Sequence, residues 1–327
     1  MIPISTKQPS VSAAKLRNDN RDSVVYKLRK DLLRHYQLYF LVAIPVIYVF
    51  IFSYVPMYGA QIAFRNYRAI DGIWGSEWVG LDHFMQFFRS YQFKKLLRNT
   101  LEVSIYSTIA GFPFPILLAV ALNNCTHKRF GKAVQMVTYA PHFISTVVLV
   151  GMVQQFLAPR YGIVNQLLVS MGLEEIMFVA KPELFSSIYV WSGIWQGTGW
   201  GSIVYLSALS AVDQSLHEAA IIDGASKLQR NIHIDIPCIT PTIVILLIMD
   251  LGKMLNVGFD KALLLQNDMN LERSEVISTY VYKVGMVSGL PNYSYSTAIG
   301  LLNSVVNFIM ITLVNRISRA ISDISLW

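Results

Sequence analysis

An all-α protein that crosses a membrane six times is the fold this sequence predicts, on three observations. Hydrophobic residues make up 54% of the 327 positions and charged residues only 14%, whereas a soluble domain carries about a quarter charged residues; the mean hydropathy is +0.44. Apolar windows that meet the requirement of about 20 helical residues per crossing recur near 38–62, 99–122, 133–157, 186–211, 238–257 and 296–316. These windows are continuous, whereas barrel strands would alternate over about ten residues, so helices are the expected spanning elements.

Taken in order, residues 1–36 form a basic segment with eight Lys and Arg between Lys7 and Arg34. It has no apolar core, so it does not read as a cleavable signal peptide. The six windows and their connections occupy 37–317, and 318–327 is a short tail. Pro45 and Pro56 interrupt the first window, Pro113 and Pro115 the second, which is tolerated where neighbours satisfy the freed carbonyls. Residues 65–98 are rich in aromatic and basic side chains, and 82–97 reads as an amphipathic helix at the membrane surface. Gly193, Gly197 and Gly201 make a smooth ridge on the fourth window for close helix packing. Pro291, Asn292 and Tyr293 predict a turn before the sixth.

Lys and Arg flanking the windows set the orientation. The N-terminal segment, the loop with Lys128, Arg129 and Lys132, the segment with Lys227 and Arg230, and the end with Arg316 and Arg319 fall on one side, with fifteen basic residues against eleven opposite. This places both termini in the cytoplasm, in a bacterial cytoplasmic (inner) membrane. The basic excess gathers at one membrane boundary, where anionic headgroups account for it, so nucleic acid is not an expected partner.

The polar segment at 213–237 carries the most information. Ser215 and Glu218 are spaced as a capping box for a helix beginning near Leu216. Gly224 tolerates the left-handed backbone that ends it, and Ser226 caps a second short helix carrying Lys227 and Arg230. Pro237 suits the first turn of the next apolar helix. Residues 218–237, EAAIIDGASKLQRNIHIDIP, resemble the EAA loop of permease subunits of binding-protein-dependent ABC importers. Glu218, Ala219, Ala220, Gly224, Ile234 and Pro237 match that pattern, Asp223 and Ala225 give its common DGA form, and Ile236 replaces the usual Leu. Tyr54 to Gly59, Trp78 to Leu81, and Asn99 with Thr100 further resemble the LplB-like branch, which imports oligosaccharides and polysaccharide fragments.

This resemblance implies the type I ABC importer permease fold. It implies that the loop couples to an ATPase through Glu218, Ala219, Ala220, Asp223, Gly224, Ala225 and Pro237. The implied partners are a second permease subunit in a heterodimer, two ATPase subunits and an extracellular or periplasmic solute-binding protein, with an oligosaccharide as cargo. No phosphate-binding Gly-x-x-x-x-Gly-Lys-Ser/Thr loop occurs, so the chain is not expected to be an enzyme or to bind a cofactor itself, and ATP and Mg belong to the partner ATPase. The six histidines have no zinc-ligand spacing and Cys125 and Cys238 have no companions, so no metal site is expected.

Along the spans, Trp191 and Trp195 share a helix face and either stack on sugars in the path or pack in an aromatic belt. Asp250 and Lys253 must face protein or water, since each costs about 3 kcal/mol at a span centre. Their spacing lets them pair; alternatively, with Asn256, they line the path. The same fold with a non-sugar solute stays open, as does a polytopic membrane enzyme or signalling protein.

Overall fold

The computed structural model describes residue 31 and residues 33–322, with backbone alone at 321 and 322. The basic segment at 1–36 therefore falls almost wholly outside the described residues, as does the end of the expected tail. Residues 1–61 and 62–327 are two separate units, taken here in turn.

Among its described residues the first unit is dominated by one apolar helix, α1, which belongs to the 29-residue helical run Tyr36–Phe64. Pro45 is accommodated inside it, while a π-turn at Phe50–Tyr54 precedes Pro56. Proline offers no N–H to the carbonyl four residues back and its ring crowds that carbonyl. The wider turn, closed by Val55 N–H donating to Phe50 O, makes room for it.

The second unit begins with a hairpin that the all-helical reading did not contain. Strands β1 (Arg65–Arg68) and β2 (Ser76–Trp78) pair antiparallel with Arg65 opposite Trp78. Arg65 binds the carbonyls of Trp74 and Ser76 and lies 5.4 Å from the ring centroids of Trp74 and Trp78. The amphipathic window 82–97 is divided: α2 (Asp82–Arg89) stops at Ser90, whose hydroxyl accepts from Phe93 N–H and caps α3 (Tyr91–Asn123).

The third window is not one straight span. Helix α4 (Lys128–Phe143) meets α5 (Thr146–Phe156) at 102°. Pro141 tightens the end of α4 into a 3₁₀ turn, and Ser145 caps α5 by accepting from Val148 N–H, so the chain turns between them. Helix α6 (Ile163–Ser170) is pinned by buried Asn165, whose amide binds the carbonyls of Ala158 and Ile176 and the N–H of Ile176. Then follow α7 (Phe185–Ser210), α8 (Gln214–Ile222), α9 (Lys227–Leu251), α10 (Phe259–Leu265), α11 (Leu271–Ser274), α12 (Ile277–Tyr282) and α13 (Tyr293–Ser322). The last helix thus continues past residue 317 into the segment read as tail.

Among the described residues four helices are long and apolar enough to cross a membrane, or five if α4 and α5 form one bent crossing. Helix α7 has 26 residues, about 39 Å of rise, but its glycines, serines and tryptophans leave it short of that apolarity. Three apolar clusters hold the second unit together. One joins α3, α5, α7 and α10 through Val103, Val150, Phe185 and Ala262; a second joins α2, α3 and α13 through Phe87, Leu96 and Ile299; the third joins α3, α7 and α9 through Ala119, Tyr205 and Ile239. Asn99 and Thr100, about two turns into α3, are buried polar pins: the Asn99 amide donates to the carbonyls of Glu272 and Glu275, and Thr100 Oγ1 accepts from Ile277 N–H.

Candidate functional site

The 213–237 segment folds into an elbow of two helices. Its first cap differs from the sequence expectation. Asp213, not Ser215, is the N-cap of α8; its carboxylate accepts from Ser215 N–H, which holds its pKa below the ordinary value, and Glu218 is exposed with no capping box there. Asp213 wins because it stands two residues before the donor with an extended backbone, so the helix begins at Gln214 rather than Leu216. The far end is as the residues predict. Gly224 has φ +80°, Gly224 N–H donates to Ile221 O, and Ala225 N–H donates to Ala220 O, which together close a Schellman turn. Ser226 then caps the next helix in a reciprocal box with Gln229.

Pro237 does occupy the second position of the segment Ile236–Leu251, but this is no fresh helix start. Helix α9 runs unbroken from Lys227, and a π-turn at Asn231–Asp235 precedes Pro237 just as one precedes Pro56. Ile236 N–H reaches back five residues to Asn231 O. The elbow is therefore continuous with a spanning helix.

A buried pair braces the two arms. His217 Nε2 on α8 lies 3.2 Å from Asp235 Oδ1 on α9, with side chains 15% and 2% exposed. With its amide turned to suit its neighbours, Asn231 donates to Asp235 Oδ2 at 3.0 Å and shares hydrogen bonds with Asn124 at the end of α3. Sequence reasoning placed His217 among isolated histidines, since its partner is eighteen positions away across a turn. Glu218, Ala219, Asp223 and Gly224 are exposed on this brace, while Ala220 and Ala225 are half-buried. Among the described residues, nothing outside the local chain lies within 4 Å of where a Gly224 Cβ would stand.

At the other end of α9 the structure assembles a polar cavity of about 220 Å³, lined by Ser104, Ser107 and Thr108 of α3, Tyr189 of α7, and Asp250, Lys253 and Asn256. A further cavity of about 200 Å³ shares Ser107 and Tyr189 with it and includes Gly193 and Gly197. Asp250 and Lys253 do not pair. Helix α9 ends at Leu251, so Lys253 sits in the following turn, out of the i,i+3 geometry, and no bridge within 4.0 Å joins the two. Asp250 instead accepts from the Thr108 hydroxyl at 3.0 Å. The Asn256 carbonyl accepts from the amides of Asn303 and Asn307 on α13, while Asn307 Oδ1 accepts from Leu255 N–H.

The tryptophans stand elsewhere. Trp191 donates to the Tyr106 hydroxyl at 3.0 Å, meets Phe114 edge-on, and lines an apolar cavity of about 410 Å³ with Phe156 and Leu157. Trp195 is half-exposed and lines neither cavity. At about 100° per residue, Trp191 and Trp195 point away from the face that Tyr189, Gly193 and Gly197 share, so α7 separates the two groups. Gly201 touches Pro115, yet the closest approach is at Gly199, where a Cβ would collide with the Thr138 carbonyl.

Lys261, on α10, is buried. Its ammonium donates to Tyr189 O at 2.7 Å and lies 4.7 Å from the Tyr189 ring centroid; burial pushes it down to about 8. Only the folded contact between α10 and α7 reveals it.

Elbow, spanning helices and polar cavity define a membrane component of a transport system, and residues 38–323 match the family described as binding-protein-dependent transport system inner membrane component. The chain belongs to that family, as a multi-pass, non-catalytic permease subunit. It is 41% identical to Protein LplB of Bacillus subtilis over 88% of this chain and 90% of the relative. It is also 39% identical to the polygalacturonan/rhamnogalacturonan transport system permease protein YteP of Bacillus subtilis, over 99% of both chains. Among solved structures, a chain of a bacterial ABC transporter involved in the import of the acidic polysaccharide alginate aligns with TM-score 0.83 and 41% identity, over 90% of this chain and 99% of that one. A second structure, of a bacterial alginate ABC transporter in complex with an alginate pentasaccharide-bound periplasmic protein, aligns with TM-score 0.83 and 40% identity, over 92% of this chain and 100% of that one.

Proposed function

We propose that this chain is one half of a heterodimeric permease in an ATP-driven, binding-protein-dependent importer of oligosaccharides or polysaccharide fragments. Uronate-bearing fragments are the first cargo to test. The observation that carries the reading is the single helix α9, whose 25 residues join an exposed, doubly capped elbow at one end to a polar cavity at the other. A helix braced in this way transmits a displacement of about the same size over roughly 37 Å.

The elbow, with Glu218, Ala219, Ala220, Asp223, Gly224, Ala225 and Pro237, is the face offered to the ATPase. Two ATPase subunits hold ATP and Mg, a second related permease completes the pore, and an extracellular or periplasmic binding protein delivers cargo. Six crossings follow when α7 and the bent pair α4–α5 are each counted as one, with both termini and the elbow in the cytoplasm. Closure of the ATPases moves the elbow and switches the cavity between outward and inward access. The glycan names of the relatives and of the solved transporters support the cargo class. Lys253, free of a carboxylate partner in the cavity, supports the acidic subset.

The test is ATP hydrolysis by the complex that co-purifies with the tagged chain, with binding protein and a panel of acidic and neutral oligosaccharides. Stimulation by galacturonate or mannuronate oligomers over neutral ones is the expected result. Stimulation by a peptide or an ion alone overturns the cargo, and absence of any ATPase partner overturns the importer.

A further inference from the structure

A second charged cavity lies at the opposite end of α3 from the elbow. It measures about 470 Å³ and is lined by Arg89, Lys94, Lys95 and Arg98 with the aromatic rings of Phe88 and Tyr91; Glu272 is the one carboxylate in its lining. Lys95 is committed to buried Glu275 at 3.0 Å, which Lys283 also approaches at 3.4 Å. Among the described residues no carboxylate comes within 4.0 Å of Arg89, Lys94 or Arg98. With Lys95 committed to Glu275, the three remaining cations outnumber the single Glu272 carboxylate of the lining and repel one another, and an anion relieves that repulsion.

The direction of the cavity distinguishes between kinds of anion. At about 100° per residue, Tyr91, Lys94 and Arg98 fall on one stripe of α3 with Ile105 and Ile109. Those two isoleucines are 41% and 70% exposed. They lie about 10 and 16 Å further along the helix from Arg98. Ser104 and Ser107, which line the polar cavity, are on a different face, and Thr108 lies at the edge between the two. A basic mouth above an exposed apolar stripe, turned away from the polar cavity, matches a phosphate headgroup above its acyl chains rather than a passing glycan.

We propose that this cavity binds the phosphate headgroup of an anionic phospholipid through Arg89, Lys94 and Arg98, with the acyl chains lying along Ile105 and Ile109. The site is independent of the cargo and requires only that the chain sit in a membrane. It acts on the start of α3, where Lys95, Asn99 and Thr100 bind Glu275 and the backbone of residues 272–277, so a lipid there fixes the end of α3 remote from the elbow.

The assembled transporter, in nanodiscs of phosphatidylcholine with or without phosphatidylglycerol, is treated with an acetylating reagent, and modification of Lys94 is read by mass spectrometry relative to Lys181, an exposed lysine outside the cavity. Phosphatidylglycerol should slow Lys94 labelling at least fivefold. Each lost cation weakens the interaction about fivefold, so Arg98→Gln should remove most of that protection, while Arg98→Lys should keep it. Equal labelling in the two lipids overturns the site, and this comparison needs no variant to fold. Protection in phosphatidylcholine by soluble inorganic phosphate makes it a free-anion site, and protection there by a galacturonate trimer makes it a glycan site. Either result also overturns the proposal.

Discussion

The elbow and the polar cavity sit at the two ends of α9, yet they are built in opposite ways. Every hydrogen bond that shapes the turn of the elbow is local: Asp213 to Ser215, Ala225 to Ala220, Ser226 to Gln229. The cavity draws its lining from α3, α7 and the end of α9, with partners such as Thr108 and Asp250 142 positions apart. On the proposed function the elbow presses on another protein and benefits from carrying its own rigidity, while the cavity opens and closes and benefits from contacts that can be exchanged between helices.

That comparison breaks most readily at the contact between the two arms of the elbow. Replacing His217 by Ala leaves Asp235 buried beside Asn231 without the imidazole that faces it, at a cost on the order of 2 kcal/mol. Co-purification of the ATPase with the His217→Ala chain should fall sharply while membrane insertion persists. Unchanged co-purification and uptake would show that the local caps suffice and that the brace is dispensable.

Gly224→Val comes next. Space around the position is open, so the only cost is a β-branched residue at φ +80°, about 1–2 kcal/mol. Uptake should drop to about a tenth with the complex still assembled. A mutant lost from the membrane fraction would mean that the turn serves insertion rather than coupling.

The smallest effect belongs to the cavity. Lys253 is exposed and has no carboxylate within 4.0 Å among the described residues, so Lys253→Gln should leave the complex as stable as before. Loss of one charged contact of about 1 kcal/mol raises the half-saturating concentration of an acidic cargo roughly fivefold and leaves a neutral one unaffected. An equal shift for both would place Lys253 outside the path.

The same contrast explains what the sequence made legible. Gly224, Ser226 and the apolar runs that stand as α1, α3, α9 and α13 read correctly because caps, turns and apolar runs are local patterns. Asp213 displaced Ser215 because both are competent caps and only backbone geometry selects one. The straight third span failed because Pro141 and Ser145 each permit a turn but neither dictates 102°. Cavity residues were half legible: intramembrane charge flagged Asp250 and Lys253, but the end of α9 at Leu251 decided that they would not pair. Tyr189, buried Lys261 and Gly199 carried no signal, since each owes its setting to a helix far away in the chain.

The central claim is that elbow and cavity are separable functions joined by α9. It is tested most directly by measuring cargo uptake and ATP turnover on the same proteoliposomes for the wild-type, Gly224→Val and Lys253→Gln complexes. The account predicts that Gly224→Val lowers the cargo imported per ATP at saturating cargo. Lys253→Gln should keep that ratio and shift only the concentration of acidic cargo required. A ratio that falls in Lys253→Gln and holds in Gly224→Val would contradict it.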